Sequence, residues 1–148
     1  MAFRRSMGLR NQMLNGAKAF DQLMNGGHIA IYSGAQPASP EYPETGVLLA
    51  NLGTQAGTGF HFGTAASGKT DKNHGTWDGT CTVAGVAGWF RFYSTDGFTG
   101  TDGDGTCVRF DGAIGSVTGE MIMTPTNLAL NAPIIIDSLE ISLDMTAS

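Results

Sequence analysis

The residues of this chain that could do chemistry are few and scattered. His28, His61 and His74 stand far apart and show neither HxxxH nor HxH spacing. They read as structural or surface residues rather than as a metal-binding or catalytic set. Cys81 and Cys107 each follow Gly-Thr and have no CxxC partner, which argues against a zinc site. They lie in segments flanking the strand that begins at Trp89. Two readings stay open. The flanking segments could bring the two Cα atoms within disulfide range, or both residues stay as buried thiols, the ordinary state in a reducing cytoplasm.

Two stretches imitate ligand loops. Gly63, Gly68, Lys69 and Thr70 satisfy the G-x-x-x-x-G-K-[ST] pattern. That pattern binds phosphate when it follows a buried strand and opens a helix. Here TDKNHGTWDG follows, without helical periodicity, so nucleotide binding is not expected. Thr101-Asp102-Gly103-Asp104-Gly105-Thr106 imitates a calcium loop. Counted from Asp102, the twelfth position is Ala113, where an EF-hand needs a glutamate. A solvated hairpin tip is the ordinary reading. With no nucleophile–base pair and no metal cluster, the sequence points to a protein that is not an enzyme and uses no cofactor.

Composition narrows the class further. A chain of 148 residues suggests one domain with a short appendage. Only 14% of residues are charged, against 41% hydrophobic and 22 glycines, as in turn-rich all-β chains or surfaces that meet other subunits. The formal net charge is −5 and is unevenly placed. Arg4, Arg5, Arg10 and Lys18 precede the first acid, Asp21, and form a basic arm on an acidic body. Four charges are few for nucleic acid, so an acidic protein groove is at least as good a match. No signal peptide or membrane-spanning run is expected.

The elements follow from periodicity. Leu9, Met13, Ala17, Phe20 and Met24 form one stripe of a helix over residues 6–25, with Ser6 as N-cap and Asn25-Gly26-Gly27 as its stop. This face could pack on the chain's own sheet or dock on a partner. Strands are expected at 28–32, 47–52, 76–83, 121–123 and 128–130, with a weak one near Phe60 and Phe62 and an exposed turn at 69–74. The central feature is a hairpin whose strands carry WFRFY and CVRF across a Gly/Asp-rich tip. Val108 and Phe110 share one face and Arg109 points to the other. The terminal run alternates Leu139, Ile141, Leu143 and Met145 with polar residues. The pattern predicts a mainly β fold: an antiparallel β-sandwich or jelly-roll-like body at 28–148, behind one N-terminal α-helix and basic arm at 1–27.

In order, RNQMLNGAKAFDQLMNGGHIAIYSGAQPASP, TGVLLANL, GWFRFYSTDG and CVRFDGAIG, closed by an alternating strand, resemble a family of small structural proteins of tailed bacteriophages and prophages. Members open with a helix ending in Asn-Gly-Gly, continue through a YSG-x-QPA turn and a WFR strand, and reach a DG-x-IG strand end. The FTGTDGDGT loop and the SVTGEMIMTPTN region depart from that pattern. The resemblance implies a virion structural protein, made in the host cytoplasm. Its partners would be copies of itself and portal, connector, capsid or tail components, with no membrane partner. The expected place is the head-to-tail neck or collar, with capsid decoration as the alternative. A carbohydrate-binding or adhesion module is a further alternative; it would need Trp77, Tyr42 and Tyr93 exposed as an aromatic platform.

Overall fold

Strand alternation assigns each residue of the central hairpin to a face. In β2 (His28–Ser33), Ile29 and Ile31 point one way while Ala30 and Tyr32 point the other. β6 (Gly85–Tyr93) pairs with it antiparallel, Phe92 opposite Ile29 and Phe90 opposite Ile31. β7 (Arg109–Gly115) continues the sheet, Phe110 opposite Phe92. The computed structural model, which describes residues 3–16, 20–53, 60–72, 77–94 and 107–142, therefore has an aromatic face on this sheet. Phe92 and Phe110 stack on it at 5.2 Å.

The sheet grows from both sides. β3 (Leu48–Leu52) adds to β2. The outer edge of β7 is divided: β1 (Arg4–Arg5) pairs antiparallel at Phe110 and Asp111, and β8 (Met121–Met123) pairs parallel at Ile114 and Gly115. β8 passes the sheet on to β10 (Pro133–Ser142), which also carries β4 (Lys69–Asp71) and β5 (Asp78–Thr80). β9 (Asn127–Leu128) extends the start of β6. Ile134, Ile136, Leu139 and Ile141 of β10, with Met121 and Met123, join the aromatic face in one core. Trp77 fills its centre, stacked on Phe60 at 4.5 Å and touching Phe62 and Phe92. Each such buried side chain contributes about 1.5–3 kcal/mol. The fold is mainly β and sandwich-like, with the parallel β7–β8 pair as its departure from an all-antiparallel plan.

β10 also departs from simple alternation. Its register shifts between Ile136 and Ser138. Asp137 and Ser138 are consecutive exposed residues, and Leu139 and Ile141 thereby share the buried face of Ile134 and Ile136.

The expected single helix is two: α1 (Met7–Leu14) and α2 (Phe20–Met24). Gly16 stands just past α1 at φ +69°, the left-handed position that ends a helix, and its N–H donates to Met13 O at 3.2 Å. Nothing lies within 4 Å of the place a Cβ would take there, so this glycine serves the chain's turn and not a close contact. The stripe residues Leu9, Phe20 and Met24 are buried in the same core as the strands, and Met13 packs against it. Ala17 and Lys18 lie outside the described residues. The residues of the basic arm fall on different elements. Arg4 and Arg5 form strand β1 on the sheet, while Arg10 is exposed on α1.

Candidate functional site

The second face of the β2–β6–β7 sheet is polar, ordered in rows and covered. One row runs Ala30, Arg91, Asp111 and Arg4 across four strands; its neighbours are Tyr32–Trp89–Ala113 and His28–Tyr93–Arg109. Tyr32 stacks on Trp89 at 4.6 Å, His28 on Tyr93 at 5.0 Å, and the Arg91 guanidinium lies 5.4 Å from the Trp89 ring. Arg91, Arg109 and Asp111 have no solvent exposure. Arg91 holds Asp111 with two parallel bonds, Nε to Oδ1 at 2.5 Å and Nη2 to Oδ2 at 2.8 Å. This is the fork geometry in which a guanidinium matches a carboxylate best.

The cover is the proline-containing loop 34–46. Its ends meet: Ser33 N–H donates to Val47 O and Val47 N–H to Ser33 Oγ, both at 3.0 Å. Gly34 and Gly46 sit at these ends with φ near +80°, so the loop leaves and returns through left-handed turns. It is an Ω-loop laid flat on the sheet. Within it, Pro37 and Pro40 are buried. Their carbonyls accept from Arg4 at 2.6 Å and from Arg109 at 2.7 Å. Arg91 donates to Tyr42 O at 3.0 Å and to Glu44 at 3.3 Å, and Tyr93 donates to Glu44 at 2.7 Å. Trp89 donates to Thr45 O at 3.3 Å. The Glu41 carboxylate accepts from Ser39 and from Met7 N–H, the first residue of α1, which places negative charge at a helix N-terminus.

Burial works against the Arg91 charge, but its bonds to Asp111 and the charge of Glu44 more than offset this and hold the guanidinium above its ordinary value. Burial raises the Asp111 carboxyl. Even so, a guanidinium donating to both oxygens is matched only by the ionised form, so we read the pair as ionic. Burial, then the bond to Glu44, pushes the Tyr93 phenol far above its ordinary range and keeps it a neutral donor. Burial lowers His28. The layer's charges are spent on one another and on loop carbonyls. Chemically, this arrangement fixes a loop to a sheet.

Other expected sites fall apart in three dimensions. Cys81 and Cys107 are separate, buried free thiols. The Cys81 segment bonds to Leu49, level with Trp89 and Phe90 in the middle of β6, whereas Cys107 precedes Val108, whose carbonyl accepts from Ser94 just past the Tyr93 end. Four or five residues of strand, on the order of 13–16 Å, separate these levels, beyond disulfide range. In the phosphate-loop look-alike, Ala66 and Lys69 exchange backbone hydrogen bonds across Ser67 and Gly68, both at positive φ. That is a two-residue hairpin turn leading into strand β4, with no helix to receive a phosphate. Residues 69–71 of the turn expected at 69–74 are strand β4, and 73–74 lie outside the described residues. A shallow pocket beside it is lined by Lys69 and Glu140, an exposed pair at 3.2 Å. Trp77 and Tyr93 are interior, so the aromatic platform reduces to exposed Tyr42. The calcium-like loop and His74 lie outside the described residues, among which no cluster of three or more His, Cys, Asp or Glu could hold a metal.

Sequence reasoning placed Arg109 opposite Phe110 but missed the buried layer. A signal existed: Arg91 and Asp111 occupy outward positions on paired aromatic strands, and a proline-rich stretch follows β2. Comparison with protein-family models, curated proteins and solved structures found no match for this chain.

Proposed function

We propose that this chain is a non-enzymatic structural protein of a tailed-phage virion, assembling as a symmetric oligomer at the head-to-tail neck or collar. The observation that carries the reading is a convergence. The short motifs behind the phage-family resemblance lie far apart in sequence, yet their residues build one layer. Tyr32 of YSG-x-QPA stacks on Trp89 of WFR; Arg91 of WFR forks onto Asp111 of DG-x-IG; Pro37 of the turn accepts from Arg4. Their shared role is architectural, which suits a protein whose work is to hold a shape and present surfaces to neighbours. Its partners on this reading are its own copies and adjoining portal, connector, capsid or tail proteins.

Native mass measurement and electron-microscopic symmetry analysis of the purified chain test the oligomer. Gold-labelled antibody on purified particles tests the place. Label at the neck supports the reading, label over the head shell moves the protein to capsid decoration, and particles without label sink both.

A further inference from the structure

Outside the strapped layer, charge is missing from particular parts of the surface. Residues 45–68, 79–90 and 121–136 contain no Asp, Glu, Lys or Arg. The fold gathers parts of all three stretches at one rim. Leu49 O accepts from Thr82 at 2.8 Å and from Val83 at 3.2 Å, and Cys81 O accepts from Asn131 at 2.9 Å. Gly85 and Val86 pair with Leu128 and Asn127. Val47, Leu48, Val83, Val86 and Leu130 stand exposed here, from 38% for Leu48 to 61% for Leu130. Single exposed apolar residues need no explanation, but a group of them on an uncharged rim is the pattern of a contact surface.

We infer that this rim is where copies of the chain meet, an inference that rests on the assembly reading above. The occupant follows from charge. The chain carries −5, so copies meeting through its acidic surfaces bring like charges together and strip them of water. The rim brings none, and a second copy supplies a surface of the same kind: apolar, uncharged and free of that repulsion. A basic or acidic partner finds no complementary charge here, and a membrane surface finds none of the Lys or Arg that anionic lipid selects. Val47, Val83 and Val86 are stiff at χ1, so ordering them on contact costs little side-chain entropy.

The test uses the full chain with Val86→Glu and Leu130→Glu made separately, and Leu14→Glu as control. Leu14 is 85% exposed on α1, whose N-cap bonds to Cys107 and Arg109, away from the rim. Light scattering across a dilution series and native mass spectrometry read assembly; circular dichroism and the melting transition read folding. The expected result is an oligomeric wild type and a rise of about a hundredfold or more in the dissociation constant between copies for each rim variant, with Leu14→Glu unchanged. An oligomeric wild type whose rim variants assemble normally overturns the inference and leaves the assembly reading standing. A wild type that stays monomeric at every concentration overturns both. Should a Glu variant misfold, Val86→Ser and Leu130→Ser decide by the same readout, and undiminished assembly in both overturns the inference.

Discussion

The two faces of the β2–β6–β7 sheet are made by the same strands, residue by alternate residue, and are held together by different physics. One face presents Ile29, Ile31, Phe90, Phe92 and Phe110 to a core that needs volume and shape. The other presents Arg91, Tyr93, Arg109 and Asp111 to a loop, with donors and acceptors matched atom to atom. The apolar face is forgiving of chemistry and strict about volume. The polar face is the reverse, because a buried network is stable only when every member is satisfied. Their combination also guards the register. A one-residue slip of β6 would turn Arg91 into the aromatic core and Phe92 under the loop.

The sharpest way to break this contrast is a pair of double-mutant cycles. Asp111→Leu strands a buried guanidinium and is expected to cost about 3–5 kcal/mol. Phe92→Ala empties core volume at a similar cost, about 3–5 kcal/mol. The second substitution separates them. Arg91→Leu added to Asp111→Leu removes both charges and should recover most of the loss, whereas Phe110→Ala added to Phe92→Ala should deepen it. Urea unfolding of the four single variants (Arg91→Leu, Asp111→Leu, Phe92→Ala, Phe110→Ala) and the two doubles checks this. If the charged pair shows no recovery, the polar face does not work as a matched network.

A smaller effect is expected at Ser6, where the faces meet the N-terminal segment. Its fully buried Oγ accepts from Leu9 N–H at 3.2 Å and Arg109 N–H at 3.1 Å and donates to Cys107 O at 2.6 Å. Ser6→Ala removes a helix cap and leaves buried backbone groups without partners, at about 2–3 kcal/mol. Thermal unfolding reads the loss; a change within about 0.5 kcal/mol would show that water or a backbone shift replaces the hydroxyl.

Much of the apolar face was legible in the sequence, because period-two alternation carries it directly: Ile29 with Ile31, Phe90 with Phe92, Val108 with Phe110. Ser6 as a cap was legible for the same local reason. The helix break was missed because the stripe from Leu9 to Met24 keeps helical spacing across Asn15-Gly16, and the turn at Gly16 wins over periodicity. Of the strapped layer only the outward placement of Arg91 and Asp111 was legible; its contacts with the loop were not, for a different reason. Arg91 and Glu44 are 47 residues apart, Arg109 and Pro40 69 apart, and no local pattern announces a hydrogen bond across such distances. The bulge in β10 hid in the same way: its phase shift depends on which edge partner each residue meets.

The finest test of the contrast is at the margin of the polar face, where His28 stacks on Tyr93. Burial lowers the His28 pKa below the ordinary 6.5, so the fold prefers the neutral ring. The sign follows from linkage. As pH falls through 6.5 the unfolded chain binds a proton that folded His28 still refuses, so stability present above 6.5 drains away until the folded value is passed. His28→Gln removes this titration while leaving the carboxylates, whose acid dependence both proteins share. The wild type should therefore lose more stability between pH 7.5 and pH 5.5 than the variant, in urea midpoints measured side by side. The Tyr93 phenol stays neutral throughout that window, so any difference belongs to the imidazole. Equal losses in the two proteins would mean that His28 is as well solvated folded as unfolded, and that the sealed layer ends one residue inside it, at Tyr93.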